Sequence, residues 1–437
     1  MSEKLYVAHP DEVVTTIQAD DIGEEVQLDQ YEVEKPPDGG YGWVVVFSVF
    51  LINSFVWGVA ASYGVLLSFY LSNNVFPGAT ALDYAFIGGI NFGVSMLAAS
   101  PVTIIVRRFG THAPMVAGII CQSGGYISAS FATQIWHLYL SQGILVGMGM
   151  GLLFIPSVQC TSQWFDKKRS LANGINSAGS GIGGLIFSFA TGATIQHVSF
   201  RWALRVIGIV SGAMNLIATL LIRNRNHVIK PAMRGFDWRL LGRVQVLLLL
   251  SWGFLSMLGY MTVLYSLSAF GKSIGLTTSQ SSAITAILNL GTAVGRPFVG
   301  ILSDRYGRME VAAWSTFICG VSIFALWLPA TGFALTIVFA IISGAFIGTF
   351  WMTISPLCVE VVGLKELPSM LSLSWATVVL PTTFGEVVAL QIRRTASDRE
   401  YLYVQIYSGV SYLLASLALG WLLYLRRRQQ SANAPAA

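Results

Sequence analysis

The stretch Asn289-Leu-Gly-Thr-Ala-Val-Gly-Arg-Pro-Phe-Val-Gly-Ile-Leu-Ser-Asp-Arg-Tyr-Gly-Arg308 decides how the chain is read. It begins inside a long apolar segment and holds one full charge, Arg296, before ending in a charged turn at Asp304, Arg305 and Arg308. At 1.5 Å per residue, a guanidinium seven residues short of that end sits about 10 Å deep in a hydrocarbon layer about 30 Å thick. Such a placement costs roughly 3 kcal/mol, so Arg296 is expected to face protein, water or a ligand rather than lipid.

Around this stretch the composition is that of a membrane protein. Of 437 residues, 54% are hydrophobic and 11% charged, against about 25% charged in a soluble domain. The mean hydropathy is +0.64. The apolar runs are far longer than barrel strands, so helices are expected to do the spanning. Windows of about 20 apolar residues predict twelve spans. In the first half they are 43–71, 84–106, 114–133, 138–162, 171–196 and 203–222. In the second they are 244–270, 280–302, 311–329, 334–357, 369–391 and 402–425. The expected fold is an all-α membrane protein, with six-helix bundles at 43–222 and 244–428. A basic cytoplasmic linker at 223–243 joins them, and the tails are an acidic, disordered 1–42 and a short 429–437.

Charge placement sets the expected orientation. Residues 1–42 hold eleven of the 21 acidic residues and only Lys4 and Lys35 among the basic ones. Arg107, Arg108, Lys167, Lys168, Arg169, the linker arginines and Arg426–Arg428 fall on one side. Loops 72–83, 134–137 and 330–333 have no lysine or arginine. By the positive-inside rule both termini are cytoplasmic, with Arg393, Arg394 and Arg399 the exception on the opposite side. The basic excess therefore belongs to a membrane surface, not to nucleic acid. Cys121, Cys160, Cys319 and Cys358 lie in apolar segments without C-x-x-C spacing, and no histidine forms a metal-spaced pair. No nucleophile–base arrangement is visible, so an enzyme is not expected, nor is a cofactor.

The halves echo each other. Arg107-Arg108-Phe109-Gly110 and Asp304-Arg305-Tyr306-Gly307 occupy the same place after the second and eighth spans. Six plus six spans around a basic linker is the plan of transporters that rock two bundles about a midplane site. Gly147-x-Gly149-x-Gly151 and the glycines from Gly174 to Gly184 suit close helix approach. Pro101, Pro156, Pro297, Pro356 and Pro381 mark expected kinks.

Three motifs carry a family resemblance: Asp38-Gly39-Gly40-Tyr41-Gly42-Trp43; Trp164-Phe165-Asp166-Lys167-Lys168-Arg169-Ser170-Leu171-Ala172-Asn173-Gly174; and Gly295-Arg296-Pro297 leading to Gly300-x-x-x-Asp304-Arg305-x-Gly307-Arg308. Together they resemble the monocarboxylate transporter family of the major facilitator superfamily, in its fungal branch. The resemblance implies twelve helices, alternating access, and a carboxylate-binding role for Arg296. It also implies departures: Ala61 and Thr292 stand where animal relatives have a proton-coupling lysine and aspartate, and Trp57 where they have a tyrosine.

From the residues themselves, Asn289, Thr292 and Arg296 at i, i+3, i+7 share one helix face. The substrate-site expectation adds Asn53, Trp57, Asn176 and Tyr260, with Tyr63, Asn91, Gln159 and Tyr265 as further cavity liners. Arg296 can alternatively be satisfied by helix carbonyls or by an acid such as Glu386. Glu386 reads either as a proton site or as a helix-end residue. Asp304, Arg305, Arg308 and Glu360 read as a gate or as simple anchoring charge. The expected function is secondary transport of a small organic solute, either a monocarboxylate-like anion or, alternatively, a vitamin or an exported secondary metabolite. The expected place is the plasma membrane, and proton coupling stays open. The expected partners are the lipid bilayer and the solute; an ancillary subunit is left unspecified. A non-transporting sensor on the same fold is the reading from another class.

Overall fold

The computed structural model describes residues 36–232, 234–394 and 399–432. The acidic tail therefore lies almost entirely outside the described residues, as do the tip of the 392–401 loop and the last five residues. Among the described residues nine helices, ten with the bent 82–109 pair, are long and apolar enough to cross a membrane; divided at Gly363, and with His112–Ala129 included, they give twelve helical segments in order. They are α1 (Gly42–Leu67), α2 (81–109), α3 (His112–Ala129), α4 (Ile135–Trp164), α5 (Arg169–His197) and α6 (Phe200–Leu221). After the linker come α7 (Val244–Ser273), α8 (Thr278–Tyr306), α9 (Arg308–Trp327), α10 (333–362), α11 (364–392) and α12 (Leu402–Ala432). Below, the end of each span nearer residues 223–243 is the linker side and the other the far side.

Several boundaries correct the sequence expectation. α10 and α11 run on as nearly continuous helix, and only Gly363, with φ 78°, turns the chain. That left-handed backbone is open to glycine at no steric cost. Gly110 and Gly307, at φ 78° and 106°, break the chain at matching places after α2 and α8, so the two halves end the same helix with the same device. A bend of 42° lies in α2 around Ala98, three residues before Pro101. Pro156 and Pro297 are carried inside α4 and α8. α12 stays helical past residue 428, through Ala432.

Local π-turns, which the apolar pattern does not announce, interrupt three spans: Ser54–Gly58 in α1, Tyr139–Leu145 in α4 and Ile323–Trp327 in α9. A π-turn inserts one residue and re-aims the side chains within it. In α1 the residue so placed is Trp57.

α5 and α8 lie backbone to backbone across the two halves. A Cβ on Gly174 would stand 2.6 Å from the Arg296 carbonyl oxygen, and one on Gly300 would stand 2.7 Å from that of Ser170. Within the first half, Gly58 and the Gly183 backbone come equally close, 2.7 Å for an added Cβ. Small residues allow this approach where no hydrophobic force drives helices together in lipid. α2 and α11 form the second inter-half seam, with Gly89 against the Thr383 backbone and Thr103 hydrogen-bonded to Ser372 at 2.8 Å.

Candidate functional site

Arg296 sits at the α5–α8 seam, 4% exposed. Its Nη1 donates to the Ser177 carbonyl at 2.6 Å and to Ser180 Oγ at 2.7 Å, both on α5. These are neutral acceptors from the opposite half, so no carboxylate compensates the guanidinium there. Arg296 Nε is buried with no hydrogen-bond partner. The other side of the guanidinium packs on α10, where a Cβ on Gly348 would meet Nε at 2.5 Å. The Tyr260 hydroxyl on α7 lies near Arg296 and the Trp351 indole, but neither Arg296 Nε nor the Trp351 N–H is hydrogen-bonded to it.

The residues grouped with Arg296 by sequence separate. Thr292 Oγ1 lies within donating distance of two carbonyls, Leu288 O of its own helix at 3.0 Å and Gly344 O at 3.1 Å, so its hydroxyl ties α8 to α10. Asn289 is half-buried, and its backbone oxygen lies against Gly181 of α5. Asn53 donates to Val49 O one turn back in its own helix. Asn176, with its amide oriented to satisfy both atoms, accepts from Thr161 Oγ1 at 2.7 Å and donates to Val46 O and Ala172 O. The Thr292, Asn53 and Asn176 side chains thus hydrogen-bond within and between helices.

Trp57 and Tyr260 do converge near Arg296, with two tryptophans that the sequence reading did not single out. Trp351 and Trp375 stack, with centroids 5.9 Å apart and planes at 18°. Trp57 lies 5.5 Å from Trp351, and Tyr260 6.1 Å. Phe92 and Phe154 close the sides, 5.0 and 5.2 Å from Trp57. The indole N–H groups of Trp57, Trp351 and Trp375 are all buried and unpartnered. A signal was present: tryptophans deep within spans depart from the interfacial belt where they usually sit.

Above Phe92, on the far side, a cavity of about 30 Å³ lies among Tyr63, Asn91, Tyr126, Gln142 and Tyr265. That is room for a water or two. Asn91 Nδ2 donates to Gln142 O at 2.7 Å, leaving Asn91 Oδ1 and Gln142 Oε1 as buried acceptors without partners.

Glu386 on α11 accepts from Ser266 Oγ of α7, at 3.3 Å to each carboxylate oxygen. It belongs to the second half alone and does not pair with Arg296. The charged turn is divided. Asp304 crosses between halves, accepting from the Ser170 and Leu171 N–H groups at 2.9 and 2.8 Å. A carboxylate there complements the α5 N-terminus. Arg308 bridges Asp304 and Glu360, at 3.5 and 3.6 Å, and donates to the Asp166 carbonyl in the other half. Glu360 is also held by Arg426 at 2.5 Å, so it anchors within the second half. Arg305 lies outside this cluster, its guanidinium 5.4 Å over its neighbour Tyr306.

A second carboxylate caps the same turn. Asp38, before α1, accepts from Asp166 N at 2.8 Å and Lys168 N at 3.3 Å, and its own N–H donates to Trp164 O. Burial works to raise its pKa, but the N–H groups of residues 166–168 outweigh that and hold it below the ordinary value. The first two sequence motifs thus meet in space.

Comparison with known proteins agrees with this fold. The sequence profile of the Major Facilitator Superfamily matches residues 41–385 and 249–437. The chain belongs to this superfamily. It is 34% identical over 393 residues to "Probable transporter MCH2" of Saccharomyces cerevisiae, covering 89% of this chain and 83% of that one. It is 32% identical over 403 residues to "Uncharacterized transporter ESBP6" of the same organism, covering 89% of this chain and 60% of the relative. "Fujikurins efflux protein" of Gibberella fujikuroi is 27% identical over 406 residues, with 90% and 86% covered. In fold, the chain superposes on the proton:xylose symporter XylE with a TM-score of 0.70 at 13% identity, covering 86% of this chain and 94% of XylE. The fucose:proton symporter FucP of E. coli gives 0.65 at 14%, covering 86% and 98%. The protein is a multi-pass membrane transporter of the major facilitator fold, not an enzyme.

Proposed function

We propose that this transporter moves a small organic anion, a monocarboxylate or a close relative, by alternating access around Arg296. The observation that carries this reading is a buried guanidinium at the seam between the halves, bound only to neutral acceptors and with Nε unpartnered. A buried charge without a counter-charge is costly to keep. A carboxylate arriving from the far side supplies that counter-charge and occupies the free donor, and a guanidinium is shaped to hold it in bidentate fashion. Thr292, one turn before Arg296, offers no acid to share a proton with it, so proton coupling through such a pair is not part of the reading. Glu386 remains the acid available for coupling.

Positive-inside placement makes the linker side cytoplasmic, and the plasma membrane is the proposed location. An efflux role for a larger metabolite is the second reading; the name of the Gibberella fujikuroi relative favours it.

Uptake of labelled anions into liposomes containing the purified chain tests the proposal. Arg296→Ala is expected to lower anion flux by about 10- to 100-fold, the scale of a charged hydrogen bond. Arg296→Lys, which keeps the charge but not the fork, is expected to fall between Arg296→Ala and the parent. Undiminished anion flux in both variants overturns the anion reading. Binding without flux in the parent protein would point to a sensor.

A further inference from the structure

Resting on the anion reading, we infer that the solute carries a flat, π-rich body beside its acidic group, held by the Trp57–Trp351–Trp375 cluster, and is not a two- or three-carbon acid. Three independent observations converge on this. The rings of these tryptophans are grouped at 5.5–5.9 Å, Trp57 and Trp351 from opposite halves, at the seam where alternating access needs a solute. Trp351 is one turn from Gly348, the residue on which the Arg296 guanidinium packs, so ring and charge are neighbours. All three indole N–H groups are buried and unpartnered, as is Arg296 Nε.

A purely structural aromatic core explains the ring contacts but not the donors. Buried Trp N–H groups usually find an acceptor, as Trp252 does at Thr316; Trp327, in the separate aromatic core of the second half, is also buried without one, and the three indoles around Arg296 differ from it in gathering at the seam beside a buried charge. The free groups around Arg296 are donors. They match a ligand edge rich in acceptors, such as ring carbonyls, ring nitrogens or ether oxygens, in addition to a carboxylate. The faces of the rings match a planar body by offset stacking. A short aliphatic acid that reaches Arg296 leaves the indoles unserved. The far-side cavity continues this line, since Phe92 is both its floor and a wall of the tryptophan cluster.

The test is thermal stabilisation of the full chain in detergent, with trans-cinnamate and indole-3-acetate against acetate and lactate at equal concentration, and cinnamamide as the uncharged control. Binding to the folded state stabilises it by RT ln(1 + L/Kd), with L the free ligand concentration, so at equal concentration the tighter ligand gives the larger rise in Tm. The aromatic acids are expected to bind at least tenfold more tightly than the short acids. Trp351→Leu is expected to cost the aromatic acids about tenfold, and Trp351→Phe, which keeps a ring, only part of that. Failure of the aromatic acids to bind, or equal binding of acetate and lactate, overturns the inference. A preference for aromatic acids that survives Trp351→Leu also overturns it. Cinnamamide binding as well as cinnamate, with the tryptophan dependence intact, keeps the aromatic site and removes the anion reading instead.

Discussion

Asp38 shows how much one side chain outside the bilayer can fix. Its carboxylate holds the turn between α4 and α5, at the point where Asp304 holds the start of α5 from the other half. Replacing a capping acceptor by alanine costs about 1 kcal/mol, so Asp38→Ala is expected to lower the melting temperature in detergent. Asp38→Asn keeps an acceptor and is expected to lose less. The pH dependence follows from the depressed pKa. A carboxyl with a folded pKa below its unfolded value contributes stability that is complete above the unfolded pKa and is lost as pH falls through the folded one. The melting-temperature gap between parent and Asp38→Asn should therefore be constant from about pH 8 to 5 and close below about pH 4. A gap that instead closes between pH 8 and 6 would assign the stabilisation to another group. Arg296 is the opposite kind of residue. It was legible from sequence because one charge interrupts an apolar run. Its partners were not, since Ser177 and Ser180 resemble every other small polar residue of α5 until the seam is built.

At the scale of elements, α5 and α8 approach so closely that each glycine faces the other helix's backbone: Gly174 against Arg296 O, Gly300 against Ser170 O. Backbone cannot yield as a flexible side chain can, so Gly174→Val or Gly300→Val is expected to disfavour the state with this seam closed. The readout is a cysteine pair at Ser162 and Ser355, whose hydroxyls are 2.8 Å apart across the halves, in a background with the native cysteines replaced. Either valine variant should lower oxidative cross-linking several-fold; an unchanged yield would mean that the seam tolerates a wider separation. The helices themselves were legible from length and hydropathy, because lipid leaves the backbone no alternative to internal hydrogen bonding. The π-turn that aims Trp57 was not, because it changes one hydrogen-bond register without changing composition. Nor was the near-continuity of α10 and α11, where a single left-handed glycine does the work of a loop. Trp351 and Trp375 escaped for a related reason: apolar spans are full of aromatic residues, and only packing shows which of them gather.

Across the whole molecule the bonds between halves are unevenly distributed. Hydrogen bonds joining the halves run from Arg296 to the linker-side end: Thr103–Ser372, Ser162–Ser355, Ser170–Ser303, Asp304 on α5, and Arg308 on the Asp166 carbonyl. Toward the far side the halves meet through van der Waals contact, Gly89 and Gly93 against Thr383, beside a cavity of about 30 Å³. A rocking motion that opens the far side keeps the polar latch; one that opens the linker side must break each of those bonds at once. A disulfide between Ser162→Cys and Ser355→Cys should therefore hold the linker side shut while leaving the far side free to admit solute. Oxidation is expected to abolish flux in liposomes and reductant to restore it, whereas solute-induced thermal stabilisation should persist in the oxidised protein. Flux that survives complete cross-linking would show that transport does not require separation at this pair. Loss of both flux and binding would place the solute's entry on the linker side, reversing the direction in which the seam opens first.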